Sequence, residues 1–154
     1  AIDLPAPGLP ADPQELLAWH EDIRAAVAFL ASLGDVRLGA VGLAGASLGA
    51  NLVAVAAAAD PGVRSIALIS PSLDYRGVRI EGALQQYGAR QALLAASVQD
   101  PYAARTVREL EKIGTGSREV RWSNVPAHGT ALLSRDPDLV RTLVDWFQQT
   151  LGVQ

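Results

Sequence analysis

The chain has no cysteine and no methionine, two histidines, two phenylalanines and a single lysine, Lys112, among its 13 basic residues. Each scarcity excludes something. Without cysteine there is no disulfide framework, no thiolate nucleophile and no cysteine metal site. Two histidines are too few for a histidine-rich metal cluster. A formal net charge of −3 and a pI near 5.3 leave no basic footprint for nucleic acid or for an acidic membrane surface. Charged residues are sparse as well, at 19% against 49% apolar, so the 154 residues can fill a core and do not read as a disordered tail. That length predicts one domain over 1–154, with a proline-rich amino-terminal segment at 1–12. The first residue is Ala1 and no methionine occurs, which predicts that something preceded Ala1 or was removed. No signal segment is visible, and one already removed would be invisible, so the compartment stays open between cytoplasm and export.

Charge is missing altogether from residues 38 to 59, a run long enough to cross a membrane. Gly45-Ala46-Ser47-Leu48-Gly49 even fits the small-xxx-small helix-pairing pattern. Composition argues against a span. The run is mostly alanine and glycine, and Gly39, Gly42, Gly45 and Gly49 are each unfavourable inside a helix. Its character also changes midway. Val36, Leu38, Val41 and Leu43 predict a strand over 36–44, and Leu48 to Ala59 is rich in helix formers. Strand, glycine-bracketed turn and helix fit better than one long helix. A strand apolar on both faces belongs in a parallel sheet covered by helices.

Four prolines (Pro5, Pro7, Pro10, Pro13) leave room before residue 13 only for a short strand at Ala1–Leu4. Asp12, Pro13 and Glu15 start a helix whose stripe is Leu16, Ile23, Val27 and Leu30, ending near Gly34. Val63–Ile69 and Gln91–Ser97 read as buried strands, and Glu119–Trp122 as a fourth strand. Residues 72–90 read as irregular. Asp100-Pro101 starts a helix with Tyr102, Val107, Leu110 and Ile113 on its apolar side. The last helix starts near Pro137 and carries Leu139, Leu143, Val144, Phe147 and Leu151. Arg79, Arg90, Arg105 and Arg108 read as solvated surface, and His20 as packing or surface beside a helix stripe. Strands alternating with helices predict an α/β fold: three αβα layers around a mostly parallel sheet. In such sheets, sites gather at the carboxyl ends of strands. The polar residues there are Ser47, Asp74, Asp100 and His128.

Gly45-Ala46-Ser47-Leu48-Gly49 is G-x-S-x-G at a strand-to-helix turn, the pattern that pushes a serine hydroxyl outward beside a helix amino terminus. A neutral serine hydroxyl is a poor nucleophile and needs a base within hydrogen-bond reach, and an imidazole base needs a partner that fixes its tautomer. An acid and then a histidine follow at later strand ends. A plain Gly-rich turn as in a nucleotide-binding domain is the rival reading of Ser47, but neither G-x-G-x-x-G nor G-x-x-x-x-G-K-[ST] occurs. Asp100 could serve only to cap the helix before Pro101. Its rival as the acid is Asp74.

With Gly45-Ala46-Ser47-Leu48-Gly49-Ala50-Asn51, Gln99-Asp100-Pro101-Tyr102 and Ala127-His128-Gly129-Thr130 in the order Ser, Asp, His, the sequence resembles the α/β-hydrolase superfamily of serine hydrolases. The resemblance implies Ser47 as nucleophile, His128 as base then acid, Asp100 as the orienting acid, and the Leu48 N–H as one oxyanion donor. It implies no cofactor and no metal. Ala46, Tyr75 and Tyr102 are candidates to line a substrate pocket. The expected reaction is cleavage of small soluble carboxylic esters through an acyl-enzyme, with thioesters and amides open to the same machinery. The resemblance also begins partway through the family's fold, so the earlier strands and the loop bearing a second oxyanion donor have no counterpart here. Two expectations follow. The strand at Val36–Ala44 has an uncovered edge through which two copies would pair. And a catalytically weak or inactive module kept for binding or assembly stands as the alternative function.

Overall fold

In the computed structural model, which describes residues 1–5, 8–37 and 39–152, the charge-free run divides into strand and helix. The strand, β1 (Val41–Ala46), turns at Ser47 into a helix over Leu48–Ala59. Its start is a correction to the expected 36–44. Gly39 has φ +73° and the Ala40 N–H bonds the Arg37 carbonyl, so a turn occupies the first half of the predicted strand. Val36 instead packs on the core, and Leu38 lies outside the described residues. Ala1–Leu4 forms no strand either.

Two helices, α1 (Pro13–Ala18) and α2 (His20–Ser32), replace the single one expected there. The Asp12 side chain caps α1 by accepting from the Gln14 N–H at 2.9 Å. The break falls at Trp19. Leu16, Ile23 and Val27 are buried as the stripe predicts, but Leu30 is exposed. The order continues with α3 (Leu48–Ala59), β2 (Val63–Ile69), a two-residue hairpin of β3 (Asp74–Tyr75) and β4 (Val78–Arg79), α4 (Glu81–Tyr87), β5 (Gln91–Ser97), α5 (Pro101–Leu110), β6 (Arg118–Ser123), α6 (Thr130–Arg135) and α7 (Pro137–Leu151). The hairpin and α4 occupy the stretch read as irregular.

The main sheet has the order β1-β2-β5-β6, with every neighbouring pair parallel. The central strands are buried on both faces with period two. Ile66, Leu68, Leu94 and Ala96 join the core with α2, α3 and α5, whereas Ala67, Ile69, Leu93 and Ala95 join the core with α6 and α7. This is a three-layer α/β fold on a mostly parallel sheet. Among the described residues no helix is long and apolar enough to cross a membrane.

The two edges of the sheet differ. β6 carries Arg118, Glu119 and Arg121, charges of the kind that protect an edge from further pairing. β1 carries none, and Ala44 on it is exposed. Beside that edge lies an open apolar groove of about 370 Å³ lined by Leu133, Val140, Leu143, Val144, Phe147 and Leu151, with Gln148. Val144 on α7 is 51% exposed although the stripe assigns it to the core. Trp146 takes the buried place, its indole N–H donating to Glu119 at 2.9 Å.

Arg90 is not surface. Its guanidinium donates to the carbonyls of Ala57, Asp60 and Val63, each at 2.8 Å, and lies 4.0 Å from the Tyr87 ring centre. It closes the carboxyl end of α3, where helix carbonyls lack intrahelical partners. Burial pushes the Tyr87 phenol up to about 12.

Candidate active site

Ser47, at the carboxyl end of β1, has φ +53° and ψ −123°, a backbone conformation that non-glycine residues rarely hold. Its N–H donates to the Ile69 carbonyl at 2.9 Å, which fixes the turn on the neighbouring strand. Its hydroxyl makes no capping bond to α3 and is free to point elsewhere. The close approach that the turn needs is made possible by Gly45. A Cβ there would stand 2.2 Å from the Gly49 carbonyl oxygen. Leu48 opens α3, and its N–H, like others in a first turn, has no carbonyl one turn earlier to bond.

The side chain of His128, in the connection after β6, reaches both other residues. Its Nε2 stands 2.9 Å from Ser47 Oγ and its Nδ1 stands 2.5 Å from Asp100 Oδ2. An ionised carboxylate only accepts, so Nδ1 carries the proton and donates to Asp100. Nε2 then has a free lone pair and accepts from the Ser47 hydroxyl. The imidazole is about half exposed, and the Asp100 side chain is largely covered. Asp100 divides its two oxygens: Oδ2 holds His128, and Oδ1 caps α5 by accepting from the Ala103 N–H at 3.1 Å. Capping and orienting are therefore not alternatives here.

Asp74 faces other partners. It accepts from the Gly77 N–H at 2.6 Å and from Arg79 Nε at 2.8 Å, and these bonds hold its carboxyl below the usual range, Arg79 most of all. Tyr75 is half-buried against the main core. Tyr102, expected on the apolar side of α5, is 56% exposed, since Ala103, Thr106, Val107 and Leu110 take the buried side. Ala46 is half-buried at the end of β1, against the core under α7. His20, the first residue of α2, stands with its Nδ1 2.8 Å from the Leu17 carbonyl of α1.

Two buried polar residues that sequence reasoning left without a role brace the segments that carry or flank this cluster. Asn51, fully buried, accepts from the Ser72 N–H and donates to the Ser72 and Val78 carbonyls, tying the hairpin segment to α3. Ser70, fully buried with φ +49°, accepts from the Gly129 N–H at 3.0 Å. A small amide two residues beyond the nucleophile elbow is the one sequence signal for Asn51. The Ser70 contact joins residues too far apart for local pattern to show.

No protein-family model matches the chain, and no curated protein matches it in sequence. Among solved structures, the crystal structure of 2,6-dihydroxy-pseudo-oxynicotine hydrolase is similar, with a TM-score of 0.68 and 18% sequence identity. The match covers 93% of this chain and 47% of that one. The chain thus spans about half the length of the hydrolase it resembles. At that identity the likeness is one of fold, a three-layer α/β architecture on a mostly parallel sheet.

Proposed function

We propose that the chain is a serine hydrolase that cleaves small carboxylic esters through an acyl-enzyme on Ser47. The observation that carries this reading is the continuous relay from Ser47 Oγ through both nitrogens of His128 to Asp100. Nε2 takes the hydroxyl proton as Oγ attacks the ester carbonyl. The charge that develops on the carbonyl oxygen faces the Leu48 N–H and the positive end of α3. The tetrahedral intermediate collapses, the alkoxide leaves with the proton from Nε2, and Oγ keeps the acyl group. Water, deprotonated by the same nitrogen, then releases the acid. Asp100 holds the ring in the required tautomer and stabilises its cation. The connections after β5 and β6 are short, 98–100 and 124–129, which leaves little chain for a lid and favours small esters over long-chain lipids.

A fluorophosphonate is expected to label the wild-type chain stoichiometrically and Ser47→Ala not at all. p-Nitrophenyl acetate is expected to turn over faster than the palmitate. Absence of labelling in folded wild-type protein would reject the enzyme reading. It would favour the second one, a hydrolase-like module kept for binding or assembly, to which the place of β1 at the edge of the sheet lends support.

That edge also supports a homodimer in solution, formed at Val41–Ala46 rather than at 36–44. A two-fold axis perpendicular to the sheet would pair β1 with its copy in antiparallel fashion. It would also set the exposed apolar strip of α7 (Val140, Val144) against the same strip of the partner. Sedimentation is expected to show a dimer that Val144→Glu or Ala44→Arg converts to monomer. A monomeric wild type at all concentrations sinks this proposal.

A further inference from the structure

We infer that Ser70 is a positioning residue, which holds His128 against Ser47 by anchoring the peptide that follows the imidazole; the inference rests on the hydrolase reading above. Ser70 ends β2, where the chain leaves the sheet, and its own N–H still donates to the Ala95 carbonyl at 2.8 Å. Its φ of +49° places a serine where glycine or asparagine is the ordinary choice. Such a conformation persists only where the surroundings over-determine it. What glycine could not supply is the hydroxyl. Ser70 Oγ accepts from the Gly129 N–H at 3.0 Å in a buried setting. An amide buried there without this acceptor would be left unsatisfied.

The location gives the bond its consequence. Ile69, the residue before Ser70, offers its carbonyl to the Ser47 N–H. The last residue of β2 and the one after it therefore hold both loops: Ile69 the loop of the nucleophile, Ser70 the loop of the base. The two loops also touch, since a Cβ on Gly129 would lie 3.4 Å from Ser47 Cβ. Gly129 itself has φ +59°. Positive-φ residues thus meet from β1, β2 and the His128 connection, with one serine hydroxyl setting the spacing between nucleophile and base. His128 is about half exposed, and little packing on the ring would replace that anchor.

The experiment compares wild type with Ser70→Cys and Ser70→Gly. Cysteine keeps the shape but offers sulfur, a weak acceptor, whereas glycine relieves the backbone and removes the acceptor. Both are expected to lower kcat for p-nitrophenyl acetate by about 10- to 100-fold with KM unchanged, because a shift of about 1 Å suffices for such a loss. Both are also expected to accelerate amide exchange at Gly129 and to shift the downfield proton resonance of His128 Nδ1. In the wild type that amide is expected to exchange as slowly as those of β2. Fast exchange at Gly129 in the wild type overturns the inference, and needs no variant to fold. So does kcat within twofold of wild type in either folded variant while the amide exchanges faster. Absence of fluorophosphonate labelling in the wild type rejects the hydrolase reading instead, and is read separately.

Discussion

Asp100→Asn is expected to lower ester turnover by about 10⁴-fold, the scale typical of an orienting acid lost to its amide. The loss should come without unfolding. The reason lies in how Asp100 divides its oxygens. Oδ1 accepts from the Ala103 N–H at the start of α5, and Oδ2 accepts from His128 Nδ1. An asparagine has one oxygen and one NH₂. The helix cap accepts no substitute for oxygen, since a backbone N–H faces it, so the NH₂ turns toward His128. A donor opposite Nδ1 forces that nitrogen to give up its proton, and the proton moves to Nε2. Nε2 is then a donor toward Ser47 and cannot take the hydroxyl proton. Asp100→Ala removes the cap as well and is expected to cost a further ~1 kcal/mol of stability, whereas the amide keeps it. Asp74→Asn serves as the comparison. Its carboxyl is occupied by Gly77 and Arg79, so turnover is expected within about twofold of wild type, since nothing in the relay changes. Steady-state kinetics on the two variants, with thermal melts alongside, decide the matter. The opposite ranking would move the acid to the earlier strand end.

Those two aspartates also show what could be read from residues alone. Both stand near strand ends, and local pattern gives each a cap or a turn to make. Only the fold shows that Asp100 has an oxygen left over and Asp74 has none. β2 and β5 were legible to the residue, because strands covered on both faces carry unbroken apolar runs, Ile66–Ile69 and Ala92–Ala96, and polar residues and a proline follow each. β1 was misplaced by five residues at its start. Val36 shares the strand's alternation, but the turn at Gly39 separates it from the strand. The break between α1 and α2 at Trp19 has no proline or glycine to announce it, and α6 has no preceding cap, since Gly129 makes no side-chain bond. Arginine misled in the other direction. Arg90 carries a charge that predicts solvent, yet its guanidinium finds carbonyls enough at the end of α3 to be half-buried. The elbow was legible as a motif, although its two glycines turn out to do different work.

Gly45→Ala is expected to destabilise the fold by about 4 kcal/mol or more, or to prevent folding, while Gly49→Ala in the same five-residue motif is expected to stabilise it slightly. A Cβ on Gly45 would meet the Gly49 carbonyl oxygen at 2.2 Å, its carbon at 2.5 Å and the Ala50 nitrogen at 2.8 Å. All three are backbone atoms of α3, so no side chain can swing aside. Relief requires the helix to back away from β1, and the buried residues of α3, Leu48, Leu52 and Val53 among them, would lose their fit. A Cβ on Gly49 meets nothing within 4 Å. Gly49 lies within α3, where alanine is preferred over glycine by roughly 0.5–1 kcal/mol. The two substitutions therefore differ in sign although the motif writes both positions as glycine. Denaturant melts measure the difference, and fluorophosphonate labelling of Gly49→Ala checks that the elbow survives. Equal destabilisation by the two alanines would overturn the assignment of different roles to the two glycines.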